Sequence, residues 1–349
     1  MTHLIDKVST ELGIGVSEIY AQLPSAPLAY KTFKIPKKNG GFRQISQPNK
    51  LVKSIQRGLI KLFISQFPVH RCANAYIEGK SLIDNAKPHL DNSFLLKLDF
   101  ENFFPSISHH DLITYLELKN IELSSLDHIF IKNYLFKKNK NNEYHLCIGA
   151  PSSPMISNIL MYSFDEIVEE MCNLLGVQYT RYADDLTFSC NDYDTLQKSL
   201  HQVKEIVENY TFIKGLTINN NKTTIVGKGR SRRVTGVIIT NEGNPSVGRY
   251  TRKKIRAMLH HFNNKSLNKD DIPYLHGIVS HINSIEPNFY KKLKEQYGEV
   301  LFSRLAKLSY IISKSKKEQE INKEESKKLK TTTSILRELG LSDLLEDKL

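Results

Sequence analysis

RYADDLTFS, residues 181–189, places two adjacent carboxylates, Asp184 and Asp185, between two strand-like segments. Ahead of the pair, Tyr179, Arg181 and Ala183 alternate with Thr180 and Tyr182. After it, Leu186 to Ser189 resume the apolar and polar alternation of a strand, so the stretch reads as a hairpin with the acidic pair at its turn. Such a pair also occurs in ordinary turns, because Asp tolerates turn geometry and hydrogen-bonds its own backbone. Its meaning therefore depends on the rest of the chain.

The supporting residue is Asp99, in FLLKLDFENFFPSI (94–107), where a run of apolar residues interrupted by Lys97 reads as a mostly buried strand. Three carboxylates at neighbouring strand ends repel by roughly 4 kcal/mol per pair at about 4 Å and an effective dielectric near 20. A divalent cation removes that penalty. Mg²⁺ prefers hard oxygen ligands and is commonly held by one or two carboxylates together with substrate phosphates. Two such ions activate an attacking hydroxyl and stabilise the leaving group of an in-line displacement, and Mn²⁺ can serve in the same way.

The chain has 349 residues and a formal net charge of +12, room for a large core or several subdomains and an excess of cations that suits a polyanion such as nucleic acid. No apolar stretch reaches bilayer-spanning length, and MTHLIDKVST lacks the basic and apolar regions of a signal peptide, so a cytoplasmic protein without a membrane partner is expected. Cys72, Cys147, Cys172 and Cys190 show no CxxC or Cys/His ligand spacing and read as reduced, structural thiols.

Composition separates four zones. Residues 1–30 read as an N-terminal helical segment, with Leu4, Ile5, Val8 and Leu12 at helical spacing and Ser17 as the N-cap of SEIYAQL. Residues 31–245 mix strands and helices and hold the chemical motifs. Residues 246–312 are helical, with stripes at Ile255, Met258, Leu259 and Phe262 and at Leu275, Ile278, Val279 and Ile282. Arg249, Arg252, Lys253 and Arg256 form a basic face suited to a phosphate backbone. Residues 313–349 are a charged extension, a solvated helix or disordered linker, in which Leu336, Leu339, Leu344 and Leu345 form a small docking surface.

The order of motifs is IPKKNGGFRQISQP (35–48), Asp99, GAPSSPMISN (149–158), YADD (182–185) and GLTINNNKT (215–223). KKNGGFR reads as a hairpin whose Gly40 and Gly41 allow a tight turn, presenting Lys37, Lys38 and Arg43 to a triphosphate. GAPSSP reads as an extended segment fixed by its two prolines, with Gly149 lying close against the nascent pair. This series resembles a reverse transcriptase, which implies an α+β right-hand polymerase fold with fingers and palm over 31–245 and a helical thumb over 246–312.

By that resemblance Asp99, Asp184 and Asp185 hold the metals, with the backbone carbonyl of Phe100 completing the shell. Phe104 crowds the sugar 2′-position in favour of deoxynucleotides, Tyr182 lines the nucleotide site, and Lys222 assists pyrophosphate departure as a general acid. Most relatives have Pro-Gln before the glycine, where this chain has Cys147 and Ile148, so one side-chain contact to the incoming sugar is absent.

NAKPH (85–89) and VTG (234–236) narrow the resemblance to retron reverse transcriptases, over about residues 15–305. On their own, Asn85 and His89 are one helical turn apart, and RRVTGVIIT is a β-branched strand with a glycine kink. Retron enzymes copy part of a cognate structured non-coding RNA into a short single-stranded DNA (msDNA), starting from the 2′-OH of an internal guanosine. The resemblance assigns RNA recognition to Asn85, His89, Val234, Thr235, Gly236 and the basic helix, and implies a separate effector protein in phage defence. The competing readings are an intron maturase-like or diversity-generating polymerase and a non-catalytic scaffold for RNA or effector. The three intact Asp positions argue against the last.

Overall fold

The computed structural model describes residues 3–37 and 40–338, with side chains as far as Gln319. The chain divides at Pro245/Ser246 into two compact units. The first opens with helices Leu4–Leu12 and Val16–Gln22. Leu4, Ile5 and Val8 are buried on one stripe, and Gly13 closes the first helix in the left-handed conformation that glycine adopts without a Cβ penalty. The second helix is capped at Gly15, so Ser17 lies inside its first turn and is not the cap its side chain suggested.

Strands β1 (Tyr30–Pro36) and β2 (Phe42–Pro48) form an antiparallel hairpin whose last pair is Pro36 with Phe42. Five residues separate the strands, and Gly40 and Gly41 both take positive φ, at 87° and 75°. Helix Lys50–Leu62 follows, its first turn capped by Asn49, which accepts from the Val52 N–H.

The central sheet contains β3 (Phe94–Asp99), β4 (Gln178–Tyr182), β5 (Asp185–Cys190) and β6 (Thr224–Val226), in the antiparallel order β4-β5-β3-β6. β3 sits in the middle, which explains its apolar run: Leu95, Leu96 and Leu98 are at most 1% exposed. Helices Tyr162–Leu175 and Tyr193–Asn209 pack on the sheet through Phe164, Val168 and Cys172 and through Leu196, Val203 and Val207. Each fully buried Leu, Val or Phe contributes about 1.5–3 kcal/mol of transfer free energy.

GAPSSP departs from the extended reading. Helix Ser152–Leu160 starts immediately after Pro151, which already has helical angles, and Pro154 falls in its first turn. Proline is tolerated there because the first N–H groups of a helix have no intrahelical acceptor. RRVTGVIIT also departs: it is a hairpin of β7 (Arg232–Val234) and β8 (Val237–Ile239), not one kinked strand. Its two-residue turn is Thr235-Gly236, both at positive φ, 45° and 95°.

The second unit is helical: Arg249–Asn263, Ile272–Ile285, Pro287–Tyr297 and the 40-residue helix Glu299–Glu338. Ile255, Leu259 and Phe262 face Leu275, Val279 and Ile282 in its core. The last helix runs unbroken through the change of composition at 313, because charged residues at helical spacing need no buried face to continue a helix already nucleated. Leu339, Leu344, Leu345 and the side chain of Leu336 lie outside the described residues, as does Lys38. Among the described residues no helix is long and apolar enough to cross a membrane.

Candidate functional site

The register of the central sheet brings the carboxylates together. Asp99, the last residue of β3, lies directly opposite Asp185, the first residue of β5. Cβ atoms of such cross-strand pairs are about 4.5–5.5 Å apart. The turn between β4 and β5 consists of Ala183 and Asp184, with Tyr182 paired to Asp185 and Ala183 at φ 57°. The two adjacent acids thus have different roles in the backbone: Asp184 belongs to the turn and Asp185 to the strand.

Backbone bonds lock this corner. The Phe100 N–H donates to the Asp184 carbonyl at 3.0 Å, and the Asn219 N–H donates to the Asp99 carbonyl at 2.8 Å. Phe100 is buried beneath, stacked on Phe103 with ring centroids 5.6 Å apart.

The electrostatics are those of an anion cluster short of cations. Burial, then the charge of Asp184, pushes the Asp185 carboxyl up to about 6. Asp184 is raised as well, by burial first and with Asp99 adding to it. Two lysines oppose this. Lys222, in the short 3₁₀ turn Asn220–Lys222, donates its Nζ to Asp99 Oδ1 at 2.6 Å, and Lys97, on the same sheet face, pulls the Asp185 carboxyl down. Lys222 therefore rests on an aspartate of the cluster.

Beneath the turn is a network that sequence reasoning missed. Arg181, fully buried, donates Nε and Nη2 to Asp165 at 2.8 and 2.6 Å, and Nη1 to Asn158 Oδ1 at 3.1 Å and to the Ala183 carbonyl at 3.2 Å. Tyr179 donates its hydroxyl to the same Asp165 at 2.8 Å. The arginine of RYADD thus ties two helices to the turn that carries Asp184. The signal was present as a charged residue on the buried side of a strand, but its acceptors are 16 and 23 residues away in sequence.

The remaining nucleotide-site residues are placed as follows. Arg43 is exposed on β2 and Lys37 ends the preceding strand's side of the hairpin, where its N–H donates to Gly41. Phe104 is half-buried in the turn of helix Phe103–Ser106, tilted on Phe103. Tyr182 is half-buried at the end of β4. Gly149 lies against the first hairpin. A Cβ there would come within 2.9 Å of Ile45 and of the Ser46 carbonyl, so the glycine lets the chain lie against β2.

The residues expected to touch RNA divide sharply. Asn85 and His89 are fully buried and cannot reach a ligand by their side chains. His89 bridges β4 and β5 through Thr180 and Ser189 at 2.8 and 2.7 Å, while Asn85 Nδ2 donates to Thr235 Oγ1 at 3.4 Å. NAKPH and VTG are therefore packed against each other, with Val234 buried and Gly236 exposed. In the helical unit, Arg252 is engaged by the buried Glu286, its Nε donating at 2.8 Å, because Glu286 also accepts from the Val247 N–H and needs a cation. Arg249, Lys253 and Arg256 are exposed, Arg256 lying over the Phe289 ring at 5.1 Å.

The four cysteines are free and buried. Among the described residues, His70, Cys72 and Glu169 bring donor atoms within 4.8 Å of one another. Glu169 is already satisfied there by Arg71 at 2.8 Å and by the Cys72 thiol at 2.9 Å, so the group is an ion-pair network.

Known proteins place this geometry. The family model described as Reverse transcriptase (RNA-dependent DNA polymerase) matches residues 35–239. The retron Ec83 reverse transcriptase of Escherichia coli is 38% identical over 306 residues, covering 86% of this chain and 98% of that protein. The retron Ec73 reverse transcriptase of Escherichia coli is 30% identical over 293 residues, covering 79% and 90%. The retron Ec86 reverse transcriptase of the same species is 28% identical over 309 residues, covering 86% and 92%. The chain belongs to the retron reverse transcriptases: it is an RNA-directed DNA polymerase with the right-hand polymerase fold.

Proposed function

We propose that this polymerase copies part of one cognate structured non-coding RNA into a short single-stranded DNA, beginning from the 2′-OH of an internal guanosine and continuing from DNA 3′-OH ends. The observation that carries the reading is the register that sets Asp99 opposite Asp185 with Asp184 in the adjoining turn. Divalent cations fit this donor set. Three carboxylates converge, burial and mutual repulsion raise Asp184 and Asp185, and a lysine ammonium stands on Asp99 in the place of a metal charge. Asp99, Asp184, Asp185 and the Phe100 carbonyl would hold two Mg²⁺ ions, or Mn²⁺, which lower the pKa of the attacking hydroxyl and stabilise the leaving pyrophosphate when bound.

The chain's own residues do the rest. Arg43, with Lys37 and Lys38, neutralises the triphosphate of the incoming deoxynucleotide, Arg43 with its planar fork. Phe104 excludes a ribose 2′-OH by its bulk, and Tyr182 lines the nucleotide site. Lys222 would hold a proton at Nζ for the departing pyrophosphate. Residues 31–245 act as fingers and palm and 246–312 as thumb, preceded by the N-terminal helical segment and followed by the charged extension.

RNA recognition falls to the exposed face of the Thr235-Gly236 turn and to Arg249, Lys253 and Arg256, by shape and 2′-hydroxyl contacts together with phosphate attraction. The product DNA and its RNA stay with the enzyme and restrain a separate effector protein in phage defence, a role resting on family analogy. Replacing Asp184 and Asp185 with Asn tests the site. Labelled DNA synthesis on the cognate RNA is expected to disappear while RNA binding persists, and retained synthesis would refute the assignment.

A further inference from the structure

Segment 70–81 belongs to none of the motifs above, yet residues 72–75 tie it to the acidic corner. The Arg181 N–H donates to the Cys72 carbonyl and the Asn74 N–H to the Arg181 carbonyl, each at 2.8 Å, and Ala73 makes a parallel bridge to Arg181. Asn158, which receives Arg181 Nη1, donates its Nδ2 to the Ala75 carbonyl at 2.8 Å. The next residue, Tyr76, has φ 61°, a left-handed conformation that a bulky aromatic side chain rarely adopts. It is also 51% exposed. Among the described residues its ring stacks on no other aromatic and its hydroxyl makes no hydrogen bond.

Its phenol responds to the charges of the acidic corner. Burial and then the negative charge of Asp184 raise the phenol's pKa, Tyr182 adds to the rise, and Arg43 lowers it. The bonds to Arg181 and Asn158 set the backbone at Tyr76 beside the β4–β5 turn, and the charges of Asp184 and Arg43 act on its phenol there. A half-exposed aromatic in a left-handed conformation, on a segment anchored by two backbone bonds to Arg181 and one bond from the Asn158 side chain, is strain kept at a functional site. On the assignment of Arg43 to the triphosphate and Phe104 to the sugar, the flat apolar group left to be gripped in this space is the nascent base pair.

We infer that Tyr76 is a nucleobase-contacting residue whose ring stacks on the templating base of the nascent pair, adding a specificity element to the polymerase site. The inference rests on the acidic-site reading above. Stacking of a base on an aromatic ring is worth about tenfold to a hundredfold in binding. The hydroxyl plays no part, and the backbone conformation suits glycine better than tyrosine.

Tyr76→Gly therefore separates function from folding. With full-length enzyme, an RNA template and a DNA primer, Y76G should raise the KM for the next deoxynucleotide at least tenfold while its melting temperature stays level or rises. Y76F should match the parent. A template carrying 2-aminopurine at the templating position should show fluorescence quenching with the parent and Y76F, and none with Y76G. An unchanged KM and unchanged quenching in Y76G would overturn the inference, as would a lowered melting temperature accompanied by loss of kcat alone. D185N, run in parallel, keeps the two readings apart. If D185N is inactive and Y76G is normal, only the role of Tyr76 fails; if D185N still synthesises DNA, the site beneath it fails.

Discussion

Replacing Arg181 with Met tests whether the buried network beneath the acidic turn acts on stability, on catalysis, or on both. Arg181 and Asp165 are each 0% exposed, and the guanidinium satisfies both oxygens of Asp165, Asn158 and the Ala183 carbonyl. Met fills similar space but leaves Asp165 a buried carboxylate with only the Tyr179 hydroxyl. Removing one member of a buried ion pair costs about 3–5 kcal/mol. Removing both charges, as in R181M/D165L, relieves the uncompensated anion and should recover most of that loss. The double variant still lacks the hydrogen bond to Ala183, and a charge-assisted bond of that kind is worth about 1.5–3 kcal/mol. If the bond holds Asp184 in register, kcat should remain at least about tenfold low, since about 1.4 kcal/mol corresponds to a factor of ten. Urea unfolding and single-nucleotide extension read the two effects separately. An R181M protein as stable as the parent, or a double variant with parental kcat, would refute the reasoning.

Three further outcomes follow from buried and exposed charges. Burial pushes His89 down from an ordinary value of 6.5 to about 3. The unfolded imidazole therefore takes a proton below its ordinary pKa while the folded one does not: stability is whole above that pKa and falls by about 1.4 kcal/mol per pH unit below it. Between pH 6.5 and 5 the loss should reach roughly 2 kcal/mol, and H89Q should flatten this acid limb in pH-dependent unfolding; an unchanged slope would count against it. In the helical unit, K253A should weaken RNA binding uniformly and reduce the salt slope of log Kd by about 0.7–0.9. R252A should instead lower the melting temperature by leaving the buried Glu286 unpaired, and a pure binding defect would contradict that role.

Much of the site was legible because catalysis by carboxylates demands particular residue types in a particular order along the chain. Asp99, Asp184 and Asp185 could be read from their setting at strand ends, and the structure sets them side by side. The misreadings share a cause. GAPSSP was read from the local preference of proline, but a first helical turn accepts proline as readily as an extended segment does. VTG was read as a kink in one strand because Thr is a strand former, yet pairing of Val234 with Val237 forces Thr235 into the turn. Asn85, His89 and Arg252 look like ligand-binding residues by type, and each is consumed by a partner distant in sequence.

By itself the sequence determined the chemistry: which residues carry charge, in which order, on strands or helices of which periodicity. Those properties are local, set by side-chain type and backbone preference, and the order of motifs they form carries the resemblance to a polymerase. Only the tertiary structure decided which polar groups remain free to act. Burial turns His89 and Arg181 into supports, ion pairing removes Arg252 from the basic face, and cross-strand register makes Asp99 and Asp185 neighbours. Tyr76, unremarkable in the sequence, is delivered to the same corner by the bonds of residues 72–75 to the Arg181 backbone and the Asn158 side chain. The physical reason is that desolvation and pairing depend on what lies opposite in space, and sheet register, over 86 residues between Asp99 and Asp185, sets that.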